Sequence, residues 1–320
     1  MNRRRFQSSA VLAGLCAHSV FAQAAKQGGW SFVRHEDRYE FLHDGRPIAT
    51  YVSKHPHIRR PFFQDIFTPA GIRITRPNPP DPAMDDADHD TMHPGLWLAF
   101  GSLNGLDYWR NKAEIRHVRY MESPVIENDV LYFETENRYI DMAGENPVCR
   151  ETTRFEFRKI GSDIVLDWVS KFTSVRNEIR FGHQEEMGLG VRLARPMTVK
   201  KGSGRIDSSF GGVDEKGTWG KTASWWAASI PVPAKGSKFR SGIQILPKFD
   251  PGDKPFWGHT RDYGLIVANP SPLPGSNLDS IAVSTANPVE LHFRIRLFDS
   301  ESPDLASWAS EHGFVRSKKQ

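Results

Sequence analysis

Three short stretches gather side chains able to move a proton or hold a hydroxylated ligand. The first is Asp88-His89-Asp90 with His93, imidazoles and carboxylates packed closely together. Such a group could ligate a metal or serve a sugar hydroxyl, although a solvated acidic loop would look the same. The second stretch runs from Phe181 to Arg192. Read at period two, Ile179, Phe181, His183, Glu185, Met187, Leu189, Val191 and Leu193 share a face, so His183 and Glu185 interrupt an apolar row. Burying two ionisable groups is costly unless they pair or line a cleft. Burial would also lift a carboxyl pKa and make it a usable acid. Glu186 falls on the opposite face with Gln184 and Arg192, and a bulge at Gly188 or Gly190 would exchange the faces, so both glutamates are candidates. The third stretch, Pro255 to Gly264, places Trp257, His259, Arg261, Asp262 and Tyr263 together. Aromatic faces suit sugar rings, and charged groups suit hydroxyls or a uronate. The plainer alternative is a surface Arg261–Asp262 pair with Trp257 and Tyr263 in a core. Arg73 and Arg76 could reach an anionic substrate, and Trp97 is a further aromatic candidate.

The elements that must position these groups read as strands. Val289 to Leu297 alternates strictly between apolar and polar residues, as a half-buried strand requires. Similar segments occur at 39–42, 47–52, 130–135, 153–158, 164–172, 179–193, 225–230, 242–246 and 263–268. Turn residues such as His43-Asp44-Gly45 and Ile160-Gly161-Ser162-Asp163 separate several of them. That spacing predicts an all-β, antiparallel sandwich rather than a βαβ chain. One helix is expected near the C-terminus, capped at Ser302-Pro303-Asp304, running through Leu305 and Trp308 and stopping near Gly313. Residues 76–95 form a long irregular segment with four prolines in its first half, a stiff path that delivers polar residues to the apolar run Leu96 to Phe100.

The N-terminus carries Arg3-Arg4-Arg5-Phe6, a short apolar run and the small-residue site Ala22-Gln23-Ala24. This is the order of a bacterial twin-arginine export signal, so residues 1–24 are expected to be removed and residues 25–320 to act in the periplasm as one β-sandwich domain. The apolar run is shorter than the roughly 20 residues a spanning helix needs, and no stable membrane insertion is expected. Lys+Arg number 42 against 38 Asp+Glu, and three of the arginines lie in the leader, so the charge does not point to nucleic acid. Cys149 is the sole cysteine after residue 24, which rules out an intramolecular disulfide there. Nucleotide, redox-thiol and zinc-protease motifs are absent. No cofactor is expected, and a divalent metal is left open.

The chain resembles the exported bacterial family known as PmoA-like, or "methane oxygenase PmoA". The resemblance rests on Arg60-Pro61-Phe62-Phe63 with Thr68-Pro69-Ala70-Gly71, on Asp88-His89 to His93-Pro94-Gly95-Leu96-Trp97, on Asn104 to Trp109, on Gln184 to Arg192 and on His259 to Gly264. It implies a galactose-mutarotase-like β-supersandwich and a role on sugars. Family members commonly carry His-x-His-His-Arg/Lys-Gly before the Leu-Trp pair. Here His89-Asp90-Thr91-Met92-His93-Pro94-Gly95 lacks one imidazole and the basic residue, which argues against a three-histidine metal site.

The leading expectation is a periplasmic carbohydrate-active enzyme, a glycoside hydrolase acting on oligosaccharides. Glu185 or Glu186 would be the acid or base, His89, His93 and His259 proton partners, and Asp262 or Asp88 the second carboxylate that hydrolysis usually needs. Arg76, Trp97, His183, Trp257, Arg261 and Tyr263 would contact the substrate. The alternatives are a sugar epimerase or lyase in the same cleft, a glycan-binding module, and a metal-dependent oxygenase or hydrolase built from His89, His93 and a glutamate.

Overall fold

The strand Val289–Ser300 shows how the sequence becomes a sheet: Leu291, Phe293, Ile295 and Leu297 are buried while Glu290, His292 and Arg294 remain partly exposed. It pairs with Arg240–Asp250 on one side and Asp163–Ser174 on the other. In the computed structural model, which describes residues 21–22, 28–236, 238–273, 275–277 and 280–314, these strands form the middle of an eight-stranded antiparallel sheet. Arg205–Ser208 and Trp226–Pro231 complete one side of it, and Pro147–Ile160, Val130–Ile140 and Ile115–Glu127 the other. The last is a long edge strand. It carries Pro124 and several register shifts, which an edge tolerates. Most of the expected leader lies outside the described residues.

A second antiparallel sheet runs, in order, Phe21–Ala22, Trp30–Arg34, Arg38–His43, Arg46–Val52, Phe62–Gln64, Leu96–Phe100, Met187–Arg192, Leu265–Asn269, Phe256–Arg261 and Thr222–Ala223. The two sheets face one another across an aromatic core. Phe133 stacks on Phe155 at 4.6 Å, Phe155 meets Trp168 at 4.8 Å, and Tyr51 and Phe63 reach across from the larger sheet. Such pairs add about 0.5–1.5 kcal/mol each beyond their buried area. The architecture is therefore the all-β antiparallel sandwich that the strand spacing predicts. The helix Leu305–His312 also lies where the capping residues place it, with Asp304 accepting the Ser307 amide at 2.9 Å. Trp308 covers the outer face of the eight-stranded sheet against Val165, Trp225 and Leu246.

One expected strand divides. Residues 179–193 are two strands, Ile179–Phe181 and Met187–Arg192, joined by a bend. The first pairs with Ile281–Val283 in a separate small sheet, and the second enters the large one. The even alternation of residue types across the bend concealed it.

The core also holds Glu151, whose carboxyl accepts the Ser170 hydroxyl at 2.7 Å and the Asn137 amide at 3.2 Å. Burial raises its pKa. A carboxyl whose pKa is raised by folding contributes stability in full below its unfolded value and loses it as pH rises toward the folded one. Glu151→Gln is therefore expected to gain stability relative to the parent as pH rises above about 4.5. Melting curves of both proteins at pH 4.5 and 7.5 check this, and a difference independent of pH would overturn it.

Candidate functional site

Register fixes one face of the large sheet as the place where chemistry gathers. Trp97, Gly190, Val267 and His259 lie opposite one another across four strands, and Arg192, Leu265 and Arg261 form the next row. Residues in register share a face. The alternate residues turn to the other sheet, since a Cβ on Gly258 would come within 2.5 Å of Trp226. Trp97, Arg192, His259 and Arg261 thus stand on the outer face. Gly190 lets the indoles lie across its strand, because a Cβ there would meet Trp97 at 2.7 Å and Trp109 at 2.8 Å.

On one side of this face four rings form a column. Tyr263 lies over His89 at 6.4 Å, His89 over His93 at 4.9 Å and His93 over Trp97 at 5.2 Å, all within 24° of parallel. Two buried arginines hold the loop that supplies the histidines. Arg76 donates to the carbonyls of Asp86 at 2.7 Å and Asp88 at 2.8 Å, and Arg60 donates to those of Met92, Trp109 and Tyr108. Asp88 receives Arg192 at 2.8 Å and His89 at 2.9 Å. The His93 ring is buried, and neither of its nitrogens has a hydrogen-bond partner among the described residues. Burial, then the neighbouring Arg192, pushes its pKa well below the ordinary imidazole value, so the ring is neutral.

On the other side Glu185 meets two partners. Its Oε2 lies 3.3 Å from Arg261 Nη2 and 3.3 Å from His259 Nδ1, the latter without the alignment of a hydrogen bond. Asn269 fixes the segment from below by donating to the carbonyls of Gln184 and Glu185 at 2.9 and 3.0 Å. His259 is buried, and burial with Arg261 and Arg110 nearby lowers its pKa to about 3. It is a neutral imidazole beside a carboxylate. Arg261 also holds Glu215 at 3.2 Å and lies 5.5 Å from the ring of Trp219, which is 41% exposed.

Several expected roles sit differently in the structure. His183 is exposed on the bend, with no hydrogen bond or ion pair among the described residues, because the bend takes it off the apolar row. Asp262 accepts the Glu215 amide at 2.8 Å while its own amide donates to Glu215, so it fastens the one-turn helix Asp214–Thr218. Glu186 is paired with Arg110. Trp97 is fully buried beneath His93, and Trp257 is buried with its indole N–H on the Ser271 carbonyl, so Trp219 offers the open ring. Arg76 binds its own loop, and Arg73 pairs with Asp65. Glu215, Asn269 and Arg110 escaped the sequence reading. Their contacts join segments far apart in the chain, which local spacing does not report.

The stacked histidines also bear on the metal reading. A metal takes the in-plane lone pairs of imidazoles, whereas His89 and His93 turn ring faces to one another and His89 Nδ1 is engaged by Asp88. Asp250, Glu290 and His292, whose ligand atoms lie within 4.8 Å of one another, belong to the other sheet. A cavity of about 570 Å³, bounded by Trp225, Phe249, Phe256 and Phe314, also lies away from the histidines. It holds no carboxylate–imidazole pair among its lining residues, so chemistry places the site on the outer face.

A histidine kept neutral by burial contributes stability in full above its unfolded pKa and loses it as pH falls toward its folded one. His259 and His93 are thus expected to make the fold acid-labile from about pH 6.5 downward, by about 1.4 kcal/mol per pH unit for each. Denaturant titrations at pH 7 and 5 test this. A His259→Gln protein as acid-sensitive as the parent would remove His259 from the account.

These features define an antiparallel β-sandwich in which a carboxylate, an imidazole and a guanidinium meet on the outer face of the larger sheet. The chain belongs to DUF6807, a family of unknown function whose model matches residues 38–310. That description names no activity and does not carry the PmoA name. No curated protein matches the chain. Among solved structures it is similar to a galactose mutarotase related enzyme from Lactobacillus acidophilus, at 8% identity over 89% of this chain and 98% of that one, TM-score 0.36. A galactose mutarotase-like protein from Clostridium acetobutylicum gives 10% identity over 88% and 98%, TM-score 0.39. The GalM/aldose epimerase homologue from C. elegans gives 7% over 90% and 100%, TM-score 0.35. At these identities and scores the chemistry rests on this chain's own residues.

Proposed function

We propose that this protein is a carbohydrate-active enzyme whose twin-arginine leader delivers it to the periplasm, and that it moves a proton on a bound sugar. The carrying observation is the meeting of Glu185, neutral His259 and Arg261 beside the open ring of Trp219. A flat aromatic face suits a sugar ring, and Arg261 suits its hydroxyls. Glu185 then acts as base while the neutral imidazole of His259 supplies an N–H hydrogen bond to an oxygen that gains charge.

This pairing favours epimerisation or elimination, which need one base and one acid. Hydrolysis ordinarily needs two carboxylates about 5–9.5 Å apart on either side of the bond. The observation in its favour is Glu215, held on the other terminal nitrogen of the same guanidinium as Glu185. Incubation of the protein with neutral, oxidised and uronate-containing oligosaccharides in D2O, followed by proton NMR, separates the readings. Deuterium at a sugar carbon or an unsaturated product supports proton transfer, and new reducing ends support hydrolysis. A panel that binds yet never changes would leave a glycan-binding module.

A further inference from the structure

Two guanidiniums lie close together under the loop at residues 76–95, with 3% of the Arg76 side chain and 2% of the Arg192 side chain exposed. A buried cation is costly unless its charge is matched. Asp88 alone meets both, taking Arg192 Nη2 at 2.8 and 3.1 Å and Arg76 Nη1 at 3.3 Å, and it also holds His89. Arg76 directs its remaining terminal donors to loop carbonyls and leaves Nε unused. Arg192 keeps both Nε and Nη1 without a partner among the described residues. The ring of Tyr263, 4.4 Å from the Arg192 guanidinium carbon, supplies polarisable contact but no net charge.

Asp86 is taken by Lys201 at 2.6 Å, and Asp85 and Asp90 act on Arg76, so what stays unmet is the pair of free donors on Arg192. Burial, with Arg192 beside it, lowers the Arg76 pKa to about 10. Between the arginines, Leu193, Thr198 and Tyr263, with Arg195, Lys201, Asp85 and Asp86 also lining it, lies a cavity of about 20 Å³. That is room for roughly one water-sized group, so a carboxylate could seat one oxygen there while a sugar ring or a phosphate ester stays outside.

We propose that this cavity is a carboxylate subsite, so that the ligand of the outer face is an acidic sugar whose carboxylate docks against Arg192. The inference rests on the carbohydrate reading above and names its substrate class. Tyr263 joins the two places, since its ring lies on Arg192 and it follows Arg261 by two positions in the chain. A uronate anchored at Arg192 would lie toward Glu185 and His259.

The test titrates the full-length protein with sodium acetate, glucose and glucuronate at low salt, by calorimetry and by NMR. Three proteins are compared: the parent, Arg192→Met, and the rim double variant Arg195→Gln/Lys201→Gln, which spares the buried pair. Glucuronate should bind about tenfold or more tightly than glucose, the gain of a charge-assisted hydrogen bond. That preference should vanish in Arg192→Met and fall about threefold or more in the rim variant, which stands in if Arg192→Met does not fold. Equal binding of glucose and glucuronate, or a preference untouched in both variants, overturns the subsite. Acetate separates the premises: acetate bound by the parent and lost on substitution, with no sugar bound, would uphold the anion site and remove the sugar reading.

Discussion

Glu185→Gln is expected to lower turnover of a responsive sugar by about 10²–10⁴-fold while leaving its affinity within about tenfold of the parent. The substitution keeps the size of the side chain and its attachment through the backbone to Asn269. Arg261 keeps Glu215 as a partner, and Trp219 keeps its open ring, so the binding surface survives. What disappears is the group that can accept a proton beside His259. Glu186→Gln is the control, because Glu186 is tied to Arg110 and should affect stability more than turnover. Steady-state kinetics with calorimetric affinities on both variants separate these effects. Full turnover in Glu185→Gln would remove Glu185 from the base role and move that role to Glu215.

Arg60→Met should be among the most damaging single changes in the chain. The Arg60 guanidinium is fully enclosed and donates to the carbonyls of Tyr108 at 3.1 Å, Trp109 at 2.9 Å and Met92, and to Asn111 Oδ1 at 2.8 Å. A buried carbonyl left without a donor costs about 1–3 kcal/mol, so losing several predicts a loss on the order of 3–5 kcal/mol. For a protein of this size the melting temperature should fall by roughly 5–8 °C. The histidine loop should loosen as well, letting water reach His93 and bringing its titration back toward the ordinary imidazole range. Calorimetry and histidine NMR report the two effects. A melting temperature within about 2 °C of the parent would mean that water replaces the guanidinium at little cost.

Much of the sheet architecture was legible because a half-buried strand writes its exposure into alternate residues, as Val289 to Leu297 does. Ile115–Glu127 went unread for the opposite reason: it is an edge strand with register shifts, exposed on both faces over much of its length. The site was legible as clusters, since His259 and Arg261 are two apart on one strand and must share a face. Its partnerships were not. Arg192 reaches Asp88 across 104 positions and Arg261 reaches Glu215 across 46, and no local pattern encodes such meetings. The bend at 182–186 carried Glu185 from the expected apolar row to the outer face. Its signal was Gly182 and Gly188: the first is packed against Ser102, and the second has a φ of +109° that favours glycine.

Residues 86–93 of the loop are held by Arg76 and Arg60 and braced by the stack of His89 and His93 between Tyr263 and Trp97. Such a wall has no hinge. A ligand of the proposed site would therefore meet a wall of set shape on this side, and selection there would fall to its rim. The amides of Arg76 and His93, bonded to the Arg192 and His89 carbonyls, should exchange with solvent more slowly than those of the exposed residues between them.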